Sequence, residues 1–181
     1  MDADLVQMQK KLADYQNALF KEVRITQIHA NLHWFSLSLS AVATGILDSQ
    51  YLELHELQDE SNPEFVVEVV YLFLADSEKL LDDLSRDLTQ QNVEFEKAQA
   101  QAQKMKGSSC SIGAPRIKNA CIEFQKFCQE KNIRGCLRYL QQMKQEFDLV
   151  KSKLKALFAL EQNVVAAGGS IPKMQPIDLI D

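Results

Sequence analysis

Gln99, Gln103, Lys106 and Cys110 follow one another at steps of four, three and four residues, the spacing that places side chains on one face of a helix. The face is rich in hydrogen-bonding groups and poor in reactive ones. Amides donate and accept but do not attack, and no His, Asp or Glu stands among them to serve as nucleophile or base. Gly107 adjoins the set. Glycine inside a helix costs about 1 kcal/mol relative to alanine, and one use of it is close approach by another surface. Two accounts fit this pattern: a solvated polar face with a glycine near the helix end, or a recognition surface that does no chemistry. The three histidines lie elsewhere. His29 and His33 have the spacing of a metal clamp on a helix, but two ligands without a third do not make a site, so neither a metal nor a cofactor is expected. His55, in a short helical stretch, is expected at the surface. Cys110, Cys121, Cys128 and Cys136 contain no Cys-x-x-Cys pair and are expected as reduced thiols in a core.

The bulk composition narrows the function classes. A chain of 181 residues suits one domain with a sizeable core. Apolar residues make up 46% and charged residues 25%, the balance of a globular protein. The net charge of −5 offers no basic field for nucleic acid. No apolar run reaches the roughly 18 residues of a membrane span. The opening "MDADLVQMQK" carries acids before any apolar run, unlike a secretory signal. Neither nucleic acid nor a membrane is therefore an expected partner.

Helices must position the amide face, because the four prolines and six glycines leave long uninterrupted stretches. Leu5, Met8, Leu12, Tyr15 and Leu19 form one stripe on a helix from about Asp2 to Glu22. "ILDSQYLELHELQ" predicts a short second helix with Asp48 as N-cap. In "DESNPEFVVEVV", Ser61 and Glu64 have capping-box spacing, and Asn62-Pro63 offers an alternative cap. That third helix carries Phe65 to Leu88 and should end near Gln91. The fourth runs from about Val93 to Cys110 with Phe95, Ala98, Ala102, Met105 and Ser109 inward, until "SIGAP" breaks it. Ile117, Ala120, Cys121, Phe124 and Phe127 mark a fifth helix, ending near "EKN". Leu137, Leu140, Met143, Phe147, Val150, Leu154 and Leu157 mark a long sixth, closed near Gly168-Gly169. The expected fold is all-α: an antiparallel four-helix bundle with two additional N-terminal helices covering one end.

The stretches "LQDESNPEFVVEVV", "KMKGSSCSIGAPRIKNAC" and "GCLRYLQQMKQEFDLVKSKLKALFALEQ" resemble the plant histidine-containing phosphotransfer (HPt) proteins. These relay phosphoryl groups between sensor histidine kinases and response regulators in cytokinin signalling. The resemblance implies an HPt-like helical bundle, not an enzyme, acting as a monomer in cytoplasm and nucleus, with receiver domains as partners. The family's central motif is His-x-x-Lys-Gly-Ser-Ser; here that window reads Gln103-Lys104-Met105-Lys106-Gly107-Ser108-Ser109. Gln103 thus stands where the family has its phosphoacceptor, and Gln101 where many relatives have a second histidine. Imidazole, with a pKa of about 6.5, is neutral enough to attack and a good leaving group afterwards; an amide is neither. The resemblance therefore implies a pseudo-phosphotransfer protein whose docking residues, Gln99, Gln103, Lys104, Lys106, Gly107 and Ser108, surround an inert centre. Such a protein would bind receivers and compete with active carriers. The alternatives are an active relay mediator using another acceptor, and a helical bundle without a signalling role.

Residues 23–44 interrupt the resemblance, because relatives pass from "LF-x-E" directly into "GILD". The segment holds Trp34 and two of the three histidines and shows no steady period. It divides the chain into an N-terminal helix (1–22), an atypical insert (23–44), the bundle (45–169) and a loose tail (170–181). A retained intron translated in frame would account for the insert, and so would an inserted helix or binding loop.

Overall fold

The structure, a computed structural model, describes residues 40–59 and 61–166, together with Lys11, Asp14, His29, Leu32, His33 and residues 36–38. It contains helices α1 (Ser49–Glu56), α2 (Phe65–Asp87), α3 (Phe95–Ser111), α4 (Pro115–Gln129) and α5 (Ile133–Ala166). Helix α2 packs on α3, α3 on α4, α4 on α5 and α5 back on α2, so four helices joined by short turns close a ring around one core. The short α1 lies across the end of the ring where α3 finishes and α4 begins, and touches α3.

Each turn of this bundle has its own chemistry. Asp48 caps α1, its carboxylate accepting from the Gln50 amide at 2.9 Å. The expected Ser61/Glu64 capping box at α2 does not form. Helix α2 begins at Phe65 with Glu64 at its N-cap, so Glu64 is not three residues into the helix; Asp59 instead orders the approach, accepting from the Ser61 amide (2.8 Å), the Ser61 hydroxyl (2.5 Å) and the Asn62 amide (3.0 Å). The Gln58 side chain accepts from the Val66 amide at 3.2 Å, satisfying a first-turn donor from outside the helix. Helix α2 ends at Asp87 rather than near Gln91: beyond Leu88 the Thr89 amide (3.2 Å) and hydroxyl (2.8 Å) both donate to Arg86 O, closing the last turn tightly. After α3, Gly113 adopts φ +73°. The Ala114 amide donates back to Ser109 O (2.8 Å) and Gly113 N to Cys110 O (3.2 Å), the paired bonds of a Schellman stop. Pro115 then starts α4. Asn132 accepts from Gly135 N at 3.0 Å to cap α5.

The α3 stripe packs as expected: Ala98, Ala102, Met105 and Ser109 are buried, and Phe95 is half-buried. Small residues on this stripe let α3 sit close to its neighbours. The α5 stripe differs at its start. Leu137 is 44% exposed, whereas Cys136 is buried. One residue is about 100° of helix rotation, so Cys136, Leu140 and Met143 take the inward line and Leu137 falls outside it.

Residues 36–38 and 40–43 are helical, where no period was expected. Ser38 and Ala41 are buried at three-residue spacing. The helical turn is stopped by Gly45 at φ +66°, with Ile46 N donating to Ala41 O (3.0 Å) and Gly45 N to Val42 O (2.9 Å). The expected boundary between residues 44 and 45 therefore falls inside a second Schellman motif. The expected N-terminal helix lies outside the described residues apart from Lys11 and Asp14, both helical, and the expected tail lies wholly outside them.

Candidate functional site

The polar flank of α3 is set by its apolar stripe. With Ala98, Ala102 and Met105 turned inward, the next positions round the helix must face the groove beside α4 and the solvent beyond it. Gln103, Lys104 and Gly107 are exposed; Gln99, Lys106 and Ser108 are half-buried. The Ser108 hydroxyl donates to the Met105 carbonyl at 3.1 Å, so it serves the helix as well as the face. A Cβ built on Gly107 meets nothing within 4 Å. Among the described residues no packing requires a glycine there, and the space above it is open.

The face includes a residue that sequence reasoning missed. Gln125 of α4 donates its Nε2 to Gln103 Oε1 at 2.9 Å and lies 3.4 Å from Gln99 O. Its signal was weak: it follows the buried Phe124 in sequence, a position on the flank of any helix stripe. Two antiparallel helices with polar flanks bring such residues together, but the α3–α4 register that pairs Gln125 with Gln103 is not written in either helix alone.

Charge on the face is unspent. Lys104 and Lys106 enter no ion pair among the described residues, whereas Lys97 is paired with Asp87 (3.0 Å), Lys126 with Glu123 (2.6 Å) and Arg116 with Glu146 (2.7 Å). After Glu96, α3 carries no acid. Lys106 also acts inward, toward Cys121. Burial pushes that thiol up to about 12, with Lys106 opposing the rise. Cys121, Cys128 and Cys136 are buried thiols as expected, but Cys110 is exposed two turns beyond Gln103.

None of the three histidines belongs to α3 or α4. His29 and His33 are exposed and helical. His55 is not at the surface as expected: its side chain is 14% exposed, 3.8 Å from Glu161 Oε1 and edge-on to Tyr51 at 4.9 Å. Helix α1 lies flat on the bundle end, which turns this position under α5. Burial lowers the His55 pKa to about 4. Among the described residues no group of three or more His, Cys, Asp or Glu side chains could hold a metal ion.

Comparison with known proteins places this geometry. The Hpt domain matches residues 68–153, from the first turns of α2 into α5. Histidine-containing phosphotransfer protein 1 of Arabidopsis thaliana is 49% identical over 172 residues, covering 95% of this chain and 97% of that protein. Pseudo histidine-containing phosphotransfer protein 2 of Oryza sativa subsp. japonica is 43% identical over 120 residues, covering 66% and 80%. The crystal structure of a histidine-containing phosphotransfer protein from Medicago truncatula superposes with a TM-score of 0.74 at 44% identity, covering 78% of this chain and 97% of that one.

Proposed function

Because the chain belongs to the histidine-containing phosphotransfer family, and so to the phosphorelays in which such proteins meet sensor kinases and response regulators, we propose that it docks receiver domains without accepting their phosphoryl groups. The observation that carries this is the side chain at position 103. Gln103 sits exposed on α3 beside Lys106 and Gly107, in the window that resembles the family's phosphoacceptor motif. Its amide nitrogen has its lone pair delocalised into the carbonyl and cannot form a phosphoramidate. A relay carrier needs a nucleophile that takes the group and releases it, and the described histidines lie elsewhere.

What supports docking is the rest of the face. The unpaired Lys104 and Lys106 suit an acidic partner surface, and the open space above Gly107 admits a close one. Occupying a receiver in this way keeps active carriers from it, so the protein acts as a competitor in the relay. The test is radiolabelled transfer from a phosphorylated receiver domain, alongside a binding titration. Binding without acid-labile label on this protein is the expected result. Label on the unmodified chain would overturn the proposal, and absence of binding to a panel of receivers would leave only a helical bundle.

A further inference from the structure

We infer that Gln125 fixes which end of the Gln103 amide faces a partner, so that Gln103 presents hydrogen-bond donors beside Lys104 and Lys106 and fits a carboxylate-lined pocket. This rests on the receiver-docking proposal above. The inference starts from a backbone atom. The Gln99 carbonyl oxygen can only accept, and Gln125 Nε2 lies 3.4 Å from it in donor geometry. Reversing the Gln125 amide would set its oxygen against that carbonyl, acceptor to acceptor. Its nitrogen must therefore face α3, and the same nitrogen donates to Gln103 at 2.9 Å. The atom of Gln103 that receives this bond has to be Oε1. Its Nε2, with two N–H donors, is left turned outward.

The setting reinforces the polarity. Gln103 and Lys104 are exposed and Lys106 is half-buried, and both lysines are donors without acceptor capacity. Glu123, the only acid of α4, is tied to Lys126 at 2.6 Å. A pocket of carboxylates finds donors on Gln103, Lys104 and Lys106, whereas the Gln103 oxygen that a basic pocket would use is taken by Gln125. Gln125 is a positioning residue in this arrangement and acts through Gln103.

The experiment combines affinity with amide exchange. Titration of a magnesium-loaded receiver domain compares wild type, Gln103→Glu and Gln125→Met, each checked by thermal melting. Gln103→Glu keeps an oxygen for Gln125 but replaces the outward donors with a second oxygen, and should weaken binding about tenfold or more. Gln125→Met frees the amide to take both orientations, which costs about twofold from population alone. That effect should vanish in a Gln103→Ala background, as a merely structural role for Gln125 would not. In the free protein, the Gln125 side-chain amide protons should exchange more slowly than those of Gln103, whatever receivers do. Slower exchange at Gln103 overturns the assignment, and so does Gln103→Glu binding a receiver as tightly as wild type. Wild type binding no receiver would instead sink the docking proposal, leaving the exchange result to judge the amide orientation by itself.

Discussion

On the docking proposal, the side chain at position 103 is what separates a competitor from a carrier. Gln103→His puts an imidazole on a face that already holds Lys106 and open space at Gly107. That variant should take acid-labile label from a phosphorylated receiver, and its failure to do so would mean that the surrounding face no longer supports transfer. Gly107 offers a second check. Nothing lies within 4 Å of an added Cβ, so Gly107→Ala should raise stability by about 0.5–1 kcal/mol by restoring helix propensity. Gly107→Trp should leave the melt and the helical circular dichroism unchanged yet weaken receiver binding at least about tenfold, because the bulk projects into the approach path. Equal binding by the tryptophan variant would move the docking surface away from α3.

The helices respond to different residues, those that stop one element and seat the next. At Gly113 an added Cβ would lie 2.5 Å from Tyr51 N and 2.6 Å from Asp48 Oδ1, with φ at +73°. Gly113 O also accepts from Asp48 N at 2.9 Å. Gly113→Ala should therefore cost about 2 kcal/mol or more, from left-handed strain and from pushing α1 off its seat. Urea unfolding measures this, and a loss under about 0.5 kcal/mol would mean that α1 is not held there. Much of this was legible beforehand. The α3 stripe from Ala98 to Ser109, the Asp48 cap and the break at "SIGAP" all follow from local spacing and turn chemistry. What escaped was set by contacts between elements. Helix α2 starts at Phe65, too late for a Ser61/Glu64 capping box, His55 is buried by the way α1 lies on α5, and Gln125 meets Gln103 only through helix register. The helical turn before Gly45 was missed because its inward line, Ser38 and Ala41, is short and half polar, and tertiary packing selects it.

At the scale of the whole molecule, stability depends on pH through the end of the bundle. His55 has its pKa lowered to about 4 by burial, so between there and about 6.5 the unfolded chain binds the extra proton. Its contribution is complete above pH 6.5 and is lost as pH falls toward 4, amounting to about 3 kcal/mol. His55→Gln should flatten the stability profile across that window; an unchanged slope would show that the imidazole is not buried neutral. The stop at Gly45 makes a second whole-molecule test. A chain starting at Gly45 loses buried Ser38 and Ala41 and should melt earlier than the full chain. Deleting residues 23–44 instead brings Leu19 to the place of Ala41 and leaves α3 and α4 untouched, so receiver binding should be unchanged; a deletion variant that cannot bind would make the segment integral to the site. The numbers of that substitution have a geometric side. A helix turns about 100° per residue, so the 22 residues from Val23 to Thr44 advance a continuous helix by six revolutions and about 40°. Were those residues one continuous helix, a segment of that length would be nearly silent in angular phase, and the Gly45 stop would meet the same side with it or without it. A segment two residues shorter would arrive about 200° out of phase and turn nearly the opposite side of such a helix to the bundle.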